Sequence, residues 1–168
     1  MDKIKAIVGL GSCGIAAGAG KVYDKLNEFV EAKKFDVHAD KTSCIGMCYR
    51  EPLVEIVDNS NSYIYGGVDE TMLEEILEQH TKNHEPLEKY IVHAEDIKTE
   101  DDIFWDGQVK IALRHCGYIN PESIEEYEMK DGYAALRKIA EEKISPETVI
   151  EEIMESGLRG RGGGGFPT

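Results

Sequence analysis

The order of apolar segments in residues 3–80 constrains the fold of this chain more than any other feature of its sequence. Residues 3–10 form an apolar run typical of a buried strand, and residues 16–34 carry apolar side chains at helical spacing. Further strands are predicted at residues 35–39, 53–57 and 63–65. Asp69 then marks the start of a second helix, which ends near residue 80. This β-α-β-β-β-α order predicts an α/β unit with a small sheet and two helices.

The charge balance indicates which partners the protein is not expected to bind, and the cysteine content indicates its cellular compartment. The 168 residues include 33 acidic and 19 basic side chains, which give a formal net charge of -14. Nucleic acids and anionic membranes both require a basic surface, so we expect neither as the main partner. No apolar run approaches the roughly 20 residues of a membrane-spanning helix. Four widely spaced cysteines are too few for a disulfide-rich secreted scaffold, which favours a reducing cytoplasm.

Three of the four cysteines lie next to predicted strand ends. Cys44 and Cys48 are separated by three residues that include Gly46, a spacing that suits two thiolates on one tight loop. Cys13 lies in another glycine-containing loop after the first strand, and such loops can converge at one edge of a small sheet. Three thiolates could therefore meet, although a [2Fe–2S] cluster normally has four ligands. The spacing alone leaves open a reversible disulfide between Cys44 and Cys48, or ordinary buried thiols.

The second half of the sequence predicts a linker followed by helices. Residues 81–108 are polar and acidic and are interpreted as the linker, and the alternation over residues 109–113 predicts one more strand. Ser123 and Ser145 are typical helix-capping residues, and Gly157 is expected to end the last helix in a left-handed conformation. His80 and His84 share a helical face, but a solvated helix end explains them better than a metal site.

The glycine-rich segment 160–165 matches the pattern G-x-G-x-x-G letter for letter. A dinucleotide-binding fingerprint needs a strand before it and a helix after it, whereas here a predicted helix precedes it and Phe166 follows. A flexible linker is the simpler alternative, but linkers seldom contain arginines and an aromatic residue. A backbone without side chains lets a flat or phosphorylated ligand approach closely. Arg159 and Arg161 would supply the positive charge that an anionic cofactor requires.

Residues 109–168 resemble the beginning of the NADH-binding flavoprotein subunit of respiratory complex I. They resemble its relatives in NAD-linked hydrogenases and formate dehydrogenases equally well. The resemblance rests on the segments 113–117, 121–124, 133–138, 145–152 and 156–168. It implies that this region begins an FMN- and NADH-binding domain. The rest of the flavin site and the ligands of a [4Fe–4S] cluster would lie beyond Thr168.

In that family the glycine-rich loop lines the site where FMN binds and where NADH stacks on it. The resemblance implies that the flavin would be faced by Gly160, Arg161, Gly162 and Gly163. On the nucleotide side it would place Gly163, Gly164 and Phe166, with the aromatic ring under the adenine.

Residues 3–80 resemble the thioredoxin-like [2Fe–2S] domain that precedes the flavin domain in hydrogenase-type relatives. Cys44 and Cys48 fit its second ligand pair, and Cys13 fits the second cysteine of its first pair. The remaining ligand position falls on Val8, whose side chain cannot bind iron. A fourth ligand could come from an exogenous thiol, or from Ser12, Asp40 or Cys116. Alternatively, the domain has lost its cluster and keeps a docking role.

The two resemblances divide the chain into a thioredoxin-like domain at 1–80, a linker at 81–108 and the truncated, helical start of a flavin domain at 109–168. We predict a cytoplasmic electron-transfer flavoprotein subunit that oxidises NADH, or reduces NAD, through FMN. Electrons would pass to iron–sulfur clusters, with other iron–sulfur subunits as partners. We expect the 168 residues to be part of a longer NADH dehydrogenase-type oxidoreductase and to be inactive alone. The alternative function is a non-catalytic docking module.

Overall fold

The computed structural model of the protein describes residues 3–168. These residues belong to two compact units, one up to Glu126 and a second from Tyr127 to Thr168. No helix in the described part of the chain is both long enough and apolar enough to span a bilayer.

A mixed five-stranded sheet forms the centre of the first unit. Its strands are β1 Ile4–Gly9, β2 Val37–Thr42, β3 Val54–Asp58, β4 Asn61–Tyr65 and β5 Ile91–Ala94. In space they follow the order β2-β1-β3-β4-β5. β1 and β2 are parallel, and every other neighbouring pair is antiparallel. The parallel pair requires a crossover, which helices supply.

Three helices of the first unit support this sheet: α1 Ser12–Ala17, α2 Ala19–Glu31 and α3 Glu70–Asn83. The sequence predicted a single helix from residue 16 to residue 34, whereas helix formation begins at Ser12 and breaks at Gly18, where φ is +109°. Glycine adopts this left-handed conformation at little cost. Cys13 therefore lies in the first turn of α1 and not in a loop.

The core of the first unit lies between the sheet and helices α2 and α3. Leu26 and Leu73 are fully buried there and pack with strand residues such as Val8 and Ile56. The predicted cap of α3 is confirmed, because Asp69 accepts hydrogen bonds from the first turn at 2.9 and 2.8 Å. This cap satisfies backbone N–H groups that have no partner within the helix.

Two predictions about the middle of the chain are corrected. The predicted linker at 81–108 contains β5, which completes the sheet beside β4, and the short helix α4 Asp102–Trp105. The strand predicted at 109–113 is not formed. The apolar side chains of Val109 and Ile111 are 85% and 73% exposed, so their alternation has no sheet face to fill.

The second unit contains α6 Ala134–Glu141 and α7 Pro146–Glu155, after α5 Ile124–Met129, which crosses the boundary between the units. The predicted cap Ser145 is confirmed, since its hydroxyl accepts a hydrogen bond from the Thr148 N–H at 3.2 Å. Gly157 has the expected left-handed φ of +67°. Apolar side chains of both helices are exposed, including Leu136 at 60%.

Candidate functional site

The three cysteines singled out from the sequence lie together in the first unit. The Sγ atom of Cys13 is 3.2 Å from that of Cys44 and 3.1 Å from that of Cys48. The Sγ atoms of Cys44 and Cys48 are 3.6 Å apart. The fold therefore brings two segments more than 30 residues apart into one thiol cluster, which is formed by these three residues.

Glycines allow the two cysteine-bearing segments to approach each other. A Cβ atom on Gly11 would lie 2.6 Å from the Cβ of Cys44, which is closer than van der Waals contact permits. Gly46 adopts φ +97° between the paired cysteines and donates its N–H to Cys44 Sγ at 3.3 Å. Cys48 then opens a short 3-10 turn that ends at Arg50. The backbone at both segments is thus shaped around the sulfur atoms.

The thiols of the cluster differ in acidity because their surroundings differ. Hydrogen-bonded contacts with Cys48 and then with Cys44 lower the pKa of Cys13. Burial is the main cause that raises the pKa of Cys44 to about 12, and the contact with Cys13 raises the pKa of Cys48. Cys13 is therefore the first thiolate to form. Because a metal binds thiolates, loading this site would release protons and depend on pH.

The donor chemistry of the thiol cluster fits a soft metal centre. On a tetrahedral metal with metal–sulfur bonds of about 2.3 Å, two sulfur ligands lie roughly 3.8 Å apart. The three sulfur–sulfur separations are 3.6, 3.2 and 3.1 Å, somewhat below that value, so the sulfur atoms are close enough to bind one metal centre together. Thiolates favour zinc, copper(I) and iron–sulfur centres over hard cations. Among the Cys, His, Asp and Glu side chains of residues 3–168, these three cysteines form the one group of three or more whose donor atoms all lie within 4.8 Å of one another.

The position expected for the fourth ligand and the candidate replacements lie in different surroundings. Val8 is fully buried in the hydrophobic core, as an apolar residue in β1 should be. Asp40 is paired with Lys5 at 2.7 Å, and Cys116 lies outside the group of converging donors. Ser12 is exposed.

Sequence reasoning missed a carboxylate beside the thiol cluster. Glu51 Oε1 lies 3.9 Å from Cys13 Sγ, and its other oxygen accepts a hydrogen bond from the Leu53 N–H at 2.9 Å. The side chain is half-buried, and burial raises its pKa. The signal that could have found it is its position, three residues after Cys48.

This carboxylate also lines a cavity of about 220 Å³. Glu51 and Cys116 both line it, together with Ile64 and Trp105. Cys116 is thus close enough to share the cavity with Glu51 without joining the thiol cluster.

The two histidines form a structural network and no metal site. His80 is fully buried rather than solvated, which corrects the prediction. Its Nδ1–H donates to the Asp58 carboxylate at 3.1 Å, and Nε2 accepts from the Tyr65 hydroxyl at 2.7 Å. His84 contacts the same carboxylate at 2.9 Å. Burial lowers the pKa of His80, so the neutral ring is favoured.

The glycine-rich loop of the second unit is closed by its own hydrogen bonds. The Gly160 N–H donates to the Phe166 carbonyl at 2.8 Å, and Arg159 Nε–H donates to the Gly165 carbonyl at 2.7 Å. Arg159 also forms an isolated β-bridge with Pro167. These contacts give the segment a defined shape that a flexible linker would lack.

Within this closed loop, the glycines have different surroundings. A Cβ atom on Gly164 would lie 2.8 Å from the ring of Phe166, so the aromatic ring packs directly on that backbone. Gly162 and Gly163 have open space where a side chain would be. Arg161 is exposed beside them. The loop therefore combines an open glycine surface, a cation and an exposed aromatic ring.

Comparison with solved structures defines the class of fold. The protein is similar to a thioredoxin-like [2Fe–2S] ferredoxin from Aquifex aeolicus, with a TM-score of 0.50 and 18% identity. The match covers 58% of this chain and 96% of the ferredoxin. The first unit therefore has a thioredoxin-like ferredoxin fold, as the sequence predicted.

Curated relatives then identify the family. The chain is 33% identical over 86 residues to the NADP-reducing hydrogenase subunit HndB of Solidesulfovibrio fructosivorans, covering 50% of this chain and 68% of that subunit. The chain belongs to the family of this hydrogenase component. No family model matches the sequence.

Two longer relatives match over shorter segments. The HndC component of the same hydrogenase is 49% identical over 61 residues, which are 36% of this chain and 12% of HndC. An NADH-quinone oxidoreductase subunit of Aquifex aeolicus is 39% identical over 66 residues, 39% of this chain and 15% of that relative. The chain thus spans a small fraction of the length of these two proteins. The resemblances to a thioredoxin-like [2Fe–2S] domain and to the flavoprotein subunit family, seen in the sequence, are both confirmed.

Proposed function

We propose that the chain is an electron-transfer unit of a complex I-like or hydrogenase-type assembly, and that its first unit binds a [2Fe–2S] cluster. The observation that carries this proposal is the convergence of three Sγ atoms within 3.6 Å on a thioredoxin-like scaffold. The names of its relatives support the proposal, because they are hydrogenase and NADH-quinone oxidoreductase subunits.

Cys13, Cys44 and Cys48 would hold the cluster. Such a cluster supplies one-electron transfer when bound. The protein contributes placement of the ligands, since Cys13 lies in a helical turn and Cys44 lies two residues after the end of β2. The Gly46 N–H that donates to Cys44 Sγ would also tune the potential, as hydrogen bonds to ligand sulfurs do.

The second unit would begin an FMN- and NADH-binding domain of a longer subunit. Gly160, Arg161, Gly162 and Gly163 would lie against the flavin, because the open glycine backbone permits close contact and the guanidinium attracts an anion. Gly163, Gly164 and Phe166 would lie on the nucleotide side. FMN supplies hydride acceptance from NADH and release of single electrons when bound.

The full-length subunit would act as an NADH dehydrogenase-type oxidoreductase in the cytoplasm. It would bind a [4Fe–4S] cluster further along and pass electrons to partner iron–sulfur subunits. A non-catalytic docking role is the second candidate, because Val8 stands at a ligand position and lies in the core. The first candidate is preferred, since the three Sγ atoms converge within 3.6 Å of one another.

Anaerobic reconstitution of the chain with iron(II) and sulfide tests the cluster directly. We expect visible absorption and about two irons and two sulfides per chain, as a [2Fe–2S] centre requires. Cys44→Ser and Cys48→Ser should lose most of the iron. Lys25→Ala is the control and should retain it, because Lys25 lies in α2 and pairs with Glu28. A colourless, iron-free wild-type protein would favour the docking module.

A further inference from the structure

The proposed cluster lacks one protein ligand, and the structure supplies a donor for it. A [2Fe–2S] cluster uses four ligands, and three are present as thiols. The position expected for the fourth is occupied by Val8, which is buried in the core. We propose that the carboxylate of Glu51 is the fourth ligand, so that the site has a three-cysteine, one-glutamate ligand set. This inference rests on the proposed function of the first unit.

The carboxylate of Glu51 lies next to one of the three thiols. Glu51 Oε1 is 3.9 Å from Cys13 Sγ, and Cys44 Sγ is 3.6 Å from Cys48 Sγ. Two ligands on one tetrahedral metal lie about 3.5 to 3.8 Å apart when bond lengths are about 2.0 Å to oxygen and 2.3 Å to sulfur. The separation between Glu51 Oε1 and Cys13 Sγ is therefore close to that of two ligands on one metal. Because Cys13 Sγ is also 3.2 and 3.1 Å from the sulfurs of Cys44 and Cys48, the carboxylate adds a fourth donor on the Cys13 side of the thiol cluster.

The surrounding backbone holds the Glu51 carboxylate toward the thiol cluster. Its Oε2 accepts a hydrogen bond from the Leu53 N–H at 2.9 Å, which leaves Oε1 facing Cys13. Gly14 and Gly9 provide the space, because a Cβ atom on them would lie 3.0 and 3.5 Å from a carboxylate oxygen. A larger residue at Gly14 would collide first with the Gly9 carbonyl oxygen, 2.4 Å from the added Cβ, and then with the Glu51 carboxylate.

The charge of Glu51 has no protein partner. Within residues 3–168, no lysine, arginine or histidine nitrogen lies within 4 Å of this half-buried carboxylate. Burying a carboxylate without a counter-charge is unfavourable. A bound iron would supply that charge. Asp40, by contrast, is already neutralised by Lys5 at 2.7 Å, which removes it as a competitor.

The test compares four versions of the full chain after anaerobic reconstitution with iron(II) and sulfide: wild type, Glu51→Gln, Glu51→Cys and Cys116→Ser. Iron and sulfide content, the electron paramagnetic resonance spectrum of the reduced protein and the rate of iron loss to a chelator are measured. Glu51→Gln keeps an acceptor for the Leu53 N–H but removes the charge. Cys116→Ser is the matched control, because Cys116 lines the same cavity and lies outside the thiol cluster.

We expect Glu51→Gln to lose iron to the chelator at least about tenfold faster than wild type, because losing even a group that only supports a metal ligand weakens metal binding about 10- to 100-fold. Glu51→Cys should keep two irons per chain with a changed resonance spectrum, and Cys116→Ser should match wild type. Unchanged iron retention and spectrum in Glu51→Gln would overturn the ligand assignment while leaving the proposed cluster intact. So would iron loss in Cys116→Ser alone. Absence of iron from wild type would overturn the proposed function itself.

Circular dichroism of each variant checks that it is folded. If Glu51→Gln fails to fold, the comparison of wild type with Glu51→Cys decides: an identical resonance spectrum would mean that residue 51 is not a ligand.

Discussion

The two units of this protein are stabilised in different ways. In the first unit, side chains distant in sequence pack into one core, with Leu26 and Leu73 fully buried. In the second unit, the order that the structure shows comes from local contacts, such as the cap at Ser145 and the hydrogen bonds that close the glycine-rich loop. Apolar side chains such as Leu136 remain exposed there. The comparison teaches that the first unit is a rigid support and that the second is a set of locally shaped elements.

The largest effect should come from the core of the first unit. Leu73→Ala is expected to lower the free energy of unfolding by about 2–5 kcal/mol, because it removes buried methyl groups and leaves a cavity. Leu136→Ala in the second unit should change it by less than about 0.5 kcal/mol. Urea denaturation followed by circular dichroism measures both values. Equal losses would show that the two units are stabilised alike.

The next largest effects concern the glycine-rich loop, where two substitutions distinguish a change in FMN binding from a change in the shape of the loop. Gly162→Ala should leave the shape of the loop unchanged, because no atom occupies the space of the new methyl group. The same substitution should weaken FMN binding to the full-length subunit about tenfold, or about 1.4 kcal/mol. Gly164→Ala should instead displace the Phe166 ring even without cofactor. Fluorescence titration with FMN and NMR of the aromatic ring measure these two results. An unchanged FMN affinity in Gly162→Ala would contradict the proposed flavin contact.

Helix caps provide a smaller comparison between the units. Asp69→Ala should destabilise the first unit by about 1 kcal/mol, because two backbone N–H groups lose their acceptor. Ser145→Ala should reduce helix content at α7 with little change in the unfolding midpoint of the first unit. Hydrogen exchange resolved by residue measures both. The prediction fails if Ser145→Ala lowers protection in the sheet.

The smallest effect is a dependence of stability on pH. Because burial lowers the pKa of His80, the unfolded chain binds more protons below the ordinary histidine value of 6.5. Stability is therefore fully present above that pH and is lost as pH falls from 6.5 toward the lowered pKa. The groups that face this ring are Asp58, Tyr63, Tyr65 and, through the shared carboxylate, His84.

His80→Gln should flatten this pH dependence when the unfolding midpoint is followed between about pH 7 and pH 5. His38→Gln, on an exposed position of β2, serves as the control and should leave the slope unchanged. A slope that survives in His80→Gln would assign the effect to another group.

Periodic patterns in the sequence predicted much of the first unit. β1, β3, β4 and α3 were found because each presents a clear apolar face to the core. β5 was missed because it is only four residues long and is paired on one side alone. The strand predicted at 109–113 was wrong because alternation has no structural effect without a neighbouring strand to pair with.

The candidate site was predicted in part for a related reason. Spacing and glycine content indicated that Cys13, Cys44 and Cys48 could meet, and they do. Helix α1, which carries Cys13, was not predicted, because its small residues show no apolar periodicity. Glu51 was missed because a charged residue near a turn ordinarily points to solvent, and only the folded chain shows what it faces. Roles in cofactor binding stay predictions.

The parallel pairing of β1 with β2 has a consequence for how such chains can vary. Gly9 is opposite Thr42 in the register, so both cysteine-bearing segments leave the sheet from one level. A slip of β2 by a single residue would carry Cys44 about 3.3 Å along the strand, farther than any metal–ligand bond tolerates. Insertions in the connection between α2 and β2 would not change the pairing of Gly9 with Thr42. The length of the connection between α2 and β2 can therefore vary among related chains. The pairing of β1 with β2 keeps the distance between the sulfur atoms constant.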